Sequence, residues 1–274
     1  MSNNFYSLRR IRAATCLLIV TTVVVTSNVF AAFSAVVSPP RFELRAKAGE
    51  TLREVIDITH ADAVASGYRF ATADWALQAN GTVSIIETLT ANTCRPWVSI
   101  ERSAVTLPAN GRLKFRIEIA VPANATAGEC RFALMVQGDE QQVATNGAPI
   151  PVAGRIGVIF YVAVSGAAPQ LEFKPLGIQV IDKLNMPVLT VTNRGNAHGR
   201  AGGVLTGVDA KGKKFELVPN GLPILAGETR GLALMPNEVG GGPANPTLPL
   251  RVTGKLDWGD SSTVIDHEFV APTK

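Results

Sequence analysis

Between Arg112 and Val121 the side chains alternate strictly, with Leu113, Phe115, Ile117, Ile119 and Val121 at the odd positions and mostly charged residues between them. A period of two over ten residues predicts a half-buried strand, one face in a core and one in water, because successive side chains of a strand point to opposite faces. Strand-like runs recur at Ala35–Leu44, Leu52–Thr59, Tyr68–Leu77, Val83–Ile86, Trp97–Ile100, Cys130–Gln137 and Val152–Val164. Turn formers separate them, among them Ala48-Gly49-Glu50, Ala79-Asn80-Gly81 and Pro108-Ala109-Asn110-Gly111. No window of a dozen residues carries a helical period. Seven or more short strands at this spacing predict a sandwich of two antiparallel sheets.

The apolar run ending at Val164 gives way to Ser165-Gly166-Ala167-Ala168-Pro169-Gln170, and strand-like sequence resumes at Leu171. Small residues followed by proline mark a domain boundary. Beyond it the same style continues through Val188–Thr192, Gly203–Val208, Lys214–Val218, Gly231–Met235, Leu248–Trp258 and Thr263–Val270. The expected fold class is therefore all-β, with two immunoglobulin-like β-sandwich domains in tandem, at 32–166 and 169–274.

Residues 1–31 read as a cleaved signal peptide. Arg9, Arg10 and Arg12 precede an uncharged run of about 13 residues, Ala13 to Val25, which is shorter than the roughly 20 a helix needs to cross a bilayer. Val29 and Ala31 fit the small-residue positions of a cleavage site, so the mature chain is expected to be exported without stable membrane insertion. The segment holds three of the 26 basic residues and none of the 22 acidic ones, and its removal takes the formal net charge from +4 to +1. The remaining cations are scattered and form no basic stripe interleaved with aromatics, which excludes the electrostatic footprint of nucleic-acid binding.

Of the three cysteines, Cys16 falls in the signal segment, leaving Cys94 and Cys130. An even pair in a chain sent to an oxidising compartment predicts one disulfide. Candidate chemistry is otherwise sparse. His60, His198 and His267 show no metal-ligand spacing, and there is no nucleophile elbow or phosphate-binding glycine loop. Asp257-Trp258-Gly259-Asp260 reads as a tight turn between the last two strands. No catalytic, cofactor-binding or metal-binding residues are assigned, and an enzyme is not expected.

The order of features in the first half resembles the periplasmic pili assembly chaperones, two-domain immunoglobulin-like proteins that serve chaperone-usher fimbriae. Val37-Ser38-Pro39-Pro40-Arg41-Phe42 is similar to the family's opening strand with its arginine, and Tyr68 to Trp75 to its strand with an aromatic residue and a tryptophan. Val105-Thr106-Leu107-Pro108 and the alternating strand after it match the leucine-proline turn and next strand. Gly128-Glu129-Cys130-Arg131-Phe132 and Arg155-Ile156-Gly157-Val158-Ile159-Phe160-Tyr161 resemble the last two strands. The second half shares only the general style.

The resemblance implies a periplasmic chaperone, without cofactor, that caps pilin-like subunits by strand addition and serves an outer-membrane usher. It also implies donor-strand residues Ile150, Val152, Ile156 and Val158, placed on one face by their even numbering, with Gly154 interrupting the row and Pro149 and Pro151 removing amide donors. The family holds the subunit's terminal carboxylate with an arginine and a lysine. Arg41 matches the first; the lysine position falls at Gly157 or Val158, and Arg155 is the nearest cation expected to serve in its place. A structural or adhesive immunoglobulin-like surface protein is the alternative, since the sandwich alone implies no function.

Overall fold

The computed structural model of the chain describes residues 34–145 and 148–271, with side chains throughout except at 141–150. The expected signal peptide lies outside these residues. Nineteen strands fill the described part, which contains no helix long and apolar enough to cross a membrane. Two sandwiches, each with its own apolar interior, pack as one compact unit.

The first sandwich opposes two sheets. One has the order β1-β3-β8-β6, from β1 (Ala35–Ser38), β3 (Thr51–His60), β8 (Arg112–Ala120) and β6 (Val98–Ile100). The other has the order β2-β12-β9-β4-β5, from β2 (Arg41–Ala46), β12 (Arg155–Val164), β9 (Gly128–Gly138), β4 (Ser66–Leu77) and β5 (Val83–Ile86), with β7 (Ala104–Leu107) also on β4. Alternation puts Phe115, Ile117 and Ile119 of β8 and Ile56 and Ile58 of β3 into the interior. Phe132, Leu134 and Val136 of β9 and Val158, Phe160 and Val162 of β12 meet them from the other sheet. Phe160 lies between Phe42 and Phe132, with ring centroids 4.6 and 4.5 Å away.

Two expected strands are each split. Ala35–Leu44 breaks at Pro39-Pro40, two residues without an amide hydrogen, and its halves join opposite sheets: β1 pairs with β3, and β2 runs parallel to β12. Val152–Val164 breaks at Ala153-Gly154, where β11 (Ala148–Val152) folds back on β10 (Gln141–Thr145) as a separate two-stranded hairpin. Cys94 and Cys130 form the expected disulfide, with sulfurs 2.09 Å apart. It closes a 36-residue loop, which contributes roughly 3 to 4 kcal/mol in the chain-entropy account.

The second sandwich is one curled sheet in the order β13-β14-β17-β16-β15-β18-β19. Its strands are β13 (Leu171–Ile181), β14 (Leu184–Asn193), β15 (Leu205–Asp209), β16 (Lys214–Pro219), β17 (Thr229–Glu238), β18 (Leu250–Trp258) and β19 (Ser261–Phe269). β17 makes the fold-over: Thr229–Ala233 pair with β14, and Leu234–Glu238 pair with β16. Leu189, Leu205, Leu217, Leu232, Leu234 and Val252 are fully buried in its interior. The β13–β14 turn has Asp182 and Lys183 at φ of 49 and 65°, the left-handed pair that matches strand twist in a two-residue hairpin.

Candidate binding cleft

The odd residues of β12 face away from the interior of the first sandwich, because the even ones, Val158, Phe160 and Val162, fill it. Gly157, Ile159 and Tyr161 therefore share an outer face with Arg41 and Glu43 of β2, Ala133 and Met135 of β9, and Ala73 and Trp75 of β4. Trp75, Met135 and Tyr161 are buried there, with Ile85 and Ile159 of the same sandwich and Leu225 of the second packed against them. Trp75 meets the Tyr161 ring edge-on, with centroids 5.4 Å apart, and Arg131 lies over its indole.

A cleft of about 360 Å³ opens where this face meets the second sandwich, lined by Glu43, Glu129, Tyr161, His198 and Arg200, among others. Its polar floor is a network across the two sandwiches. His198 stacks on Tyr161, with centroids 3.8 Å apart, and its Nδ1 sits 2.5 Å from Glu129 Oε2, which also accepts the His198 amide at 3.0 Å. Its Nε2 stands 3.6 Å from Glu43 Oε1. Arg41 Nε at 2.7 Å and Arg200 Nε at 3.2 Å contact that same oxygen.

Three cationic groups around one carboxylate hold Glu43 at a pKa of about 2: the imidazole N–H aimed at it from His198 lowers it most, burial opposes, and the charges of His198, Arg200 and Arg41 add to the lowering. Burial alone would drive His198 toward neutrality. The Glu129 carboxylate, followed by Glu43, outweighs that effect and raises the imidazole above its ordinary value. The folded chain thus binds this proton more tightly than the unfolded chain, so the His198 contribution to stability is fully present below the unfolded pKa and is lost as pH rises through the higher folded one. In urea unfolding between about pH 6 and pH 9, wild type is expected to lose stability with rising pH, and His198→Gln to show a flatter profile over that range. Parallel profiles would contradict the assignment.

The residues singled out from sequence are distributed unevenly. Arg41 lies on the cleft face with 47% of its side chain exposed. Arg155 shares that face but sits four residues before Ile159, the register partner of Arg41, and forms an ion pair with Glu87 at 3.1 Å. Of the two positions at which the resemblance places a lysine, Gly157 lies on the cleft side and Val158 points inward; a Cβ on Gly157 would lie at ordinary contact distance, 3.4 Å, from Met135 Sδ. The proposed donor row needs correction. Val158 is fully buried in the chain's own interior and cannot enter a partner without vacating it. Ile156 is half-buried on the same inward side of β12, and Val152, 49% exposed, belongs to the separate β10–β11 hairpin. Even numbering fails to make one row because Ala153-Gly154 breaks the strand. Ile150 also belongs to β11, and its side chain lies outside those described.

What β12 does present is an unpaired edge. Its pairing with β2 begins at Ile159, whose amide donates to Pro40 O at 3.1 Å. By alternation the amides of Arg155 and Gly157 point to the same side, beyond the start of β2, where no described strand pairs with them. Beside this edge lies an apolar depression of about 300 Å³ lined by Val83, Ile85, Met135 and Ile159, together with Arg155 and Gly157.

Glu43, Glu129 and Arg200 were not singled out from the sequence, and His198 was weighed there only as a metal ligand and set aside. The contacts that tie Glu129 to His198 and Glu43 to Arg200 span 69 and 157 residues, beyond any local period or spacing.

No protein-family model matches this chain, and no curated protein matches its sequence. Among solved structures it is similar to the YadV chaperone, at 11% identity and a TM-score of 0.47, over 87% of this chain and 100% of that one. It is similar to the CsuC–CsuE chaperone–tip adhesion subunit pre-assembly complex from the archaic chaperone-usher Csu pili of Acinetobacter baumannii, at 10% identity and a TM-score of 0.45, over 85% and 97% of the chains. The class 5 fimbriae chaperone CfaA aligns at 8% identity and a TM-score of 0.45, over 87% and 100%.

Proposed function

We propose that the protein is a periplasmic chaperone of pilus or related surface-subunit assembly, which caps a pilin-like subunit by strand addition until an outer-membrane usher receives it. The observation that carries this reading is the unpaired edge of β12 at Arg155–Val158, bordered by an apolar depression and standing beside Arg41. An edge of this kind offers main-chain hydrogen bonds to an incoming strand, and the depression takes alternate side chains of that strand. An incomplete subunit sandwich exposes unpaired edges and core, which aggregate unless covered. The order of sequence features shared with the pili assembly chaperones supports the same reading, with domain limits at 32–166 and 169–274. On this account Arg41 takes the subunit's terminal carboxylate, since a guanidinium can hold both carboxylate oxygens at once.

The test is co-purification of the mature protein from periplasm, with and without its genomic neighbours co-expressed, followed by mass spectrometry of what elutes with it. A stoichiometric partner bearing an incomplete sandwich is expected. Elution alone, beside subunits that fold without it, would favour the structural or adhesive surface protein.

A further inference from the structure

We infer that Asn220 is a site of spontaneous covalent modification, where the backbone nitrogen of Gly221 closes on the side-chain amide and turns it into an acid. The inference stands apart from the chaperone reading. The sequence holds four Asn-Gly pairs, beginning at Asn80, Asn110, Asn146 and Asn220, and Asn146-Gly147 lies outside the described residues. Without a Cβ, glycine leaves its own nitrogen open to the side chain before it. Whether a pair reacts then depends on what holds that nitrogen. Gly81 N donates to Gln78 O at 2.9 Å and Gly111 N to Pro108 O at 2.8 Å, so each must first break a turn hydrogen bond. Among the described residues Gly221 N has no such partner, and Gly221 is exposed to water.

Asn80 provides a matched comparison. Its Oδ1 accepts the Thr82 amide at 3.0 Å, as Asn220 Oδ1 accepts the Leu222 amide at 3.2 Å, so both side chains fold back over their own backbone in the same Asx turn. That turn keeps Cγ near the following nitrogen and polarises its carbonyl toward attack. The two pairs differ in the glycine amide, tied at Gly81 and untied at Gly221. At Asn220 the Gly221 nitrogen gives up its proton to solvent base and bonds to Cγ, while the Cγ–Nδ2 bond breaks and ammonia leaves with a proton from water. Water then opens the cyclic imide at either carbonyl. Cleavage of the N–Cγ bond leaves an aspartyl residue at this position, and cleavage at the main-chain carbonyl leaves an isoaspartyl one, its backbone longer by a methylene. Both carry a negative charge that Asn220 lacks. Gly221 O accepts Arg200 Nη1 at 2.7 Å, and Leu222 packs so closely on Gly81 of the first sandwich that a Cβ there would stand 3.0 Å from its Cδ2. The modification therefore falls on a loop through which the second sandwich touches the first.

The test incubates the mature protein at mildly alkaline pH, folded and in urea, and follows each Asn-Gly pair by peptide mapping with mass spectrometry that separates aspartyl from isoaspartyl products. In the folded protein Asn220 is expected to convert about fivefold faster than Asn80 or Asn110, the factor set by one net backbone hydrogen bond. In urea the three are expected to converge, because the same dipeptide then has no turn to hold it. Conversion should also lower the urea midpoint of the recovered protein. Asn220→Gln, whose longer side chain closes a ring far more slowly, should keep its midpoint through the same incubation. Conversion at Asn80 or Asn110 equal to or ahead of Asn220 in the folded state would overturn the assignment. So would a folded protein in which none of the three reacts while the unfolded chain does, or a midpoint that falls equally in Asn220→Gln.

Discussion

Phe160→Ala is expected to lower the unfolding free energy by about 3–5 kcal/mol, measured by urea denaturation of the mature protein. Phe160 has no exposed surface, and its ring is stacked between Phe42 of β2 and Phe132 of β9, so truncation opens a cavity bordered by two aromatic faces that cannot close without moving strands. The same three strands carry Arg41, Glu43, Glu129 and Tyr161 on their opposite face. Loss of Phe160 should therefore loosen the cleft as well as the core, and the variant should recover less subunit even where it remains folded. A cost below about 1 kcal/mol would show that the stack does not hold these strands together.

Arg41→Ala is expected to reduce recovery of a co-expressed subunit by tenfold or more while leaving the thermal midpoint nearly unchanged. Its ion pair with Glu43 is half exposed, and such pairs contribute little to stability, about 0–1 kcal/mol. Glu43 keeps Arg200 and His198 as partners when Arg41 is removed, so the contact between the sandwiches survives. A binding effect without a folding effect separates a ligand-gripping arginine from a solvated strand-end one. Normal recovery with the variant would remove Arg41 from the site.

The strands were legible where one face met water and the other met core, as in Arg112–Val121, because burial imposes the period directly on the sequence. The turn at Asp182-Lys183 was not, since neither residue announces positive φ as Asn-Gly does, so the sequence marks strand-like residues from Leu171 and at Val188–Thr192 without the hairpin that joins them. The splits at Pro39-Pro40 and at Ala153-Gly154 were visible as residues, but not their consequence: which sheet each half joins depends on partners far away in the chain. The same limit governs the site. Arg41 was readable from a local motif as a cation of the opening strand, and the motif left Gly157 and Val158 as alternatives for the second position. His198 looked like an isolated histidine until the fold set it against Glu129 and Tyr161. Parity along a strand correctly grouped Ile156 with Val158 and gave no hint that their shared face is the interior of their own domain.

Under the proposed function a subunit adds a strand to the free edge of β12, and amide hydrogen exchange of the purified complex against the free protein reads that edge residue by residue. The amides of Arg155 and Gly157 are expected to exchange quickly in the free protein and to become protected when the subunit is bound. Protection confined to the second sandwich, with the Arg155 and Gly157 amides exchanging as before, would contradict it.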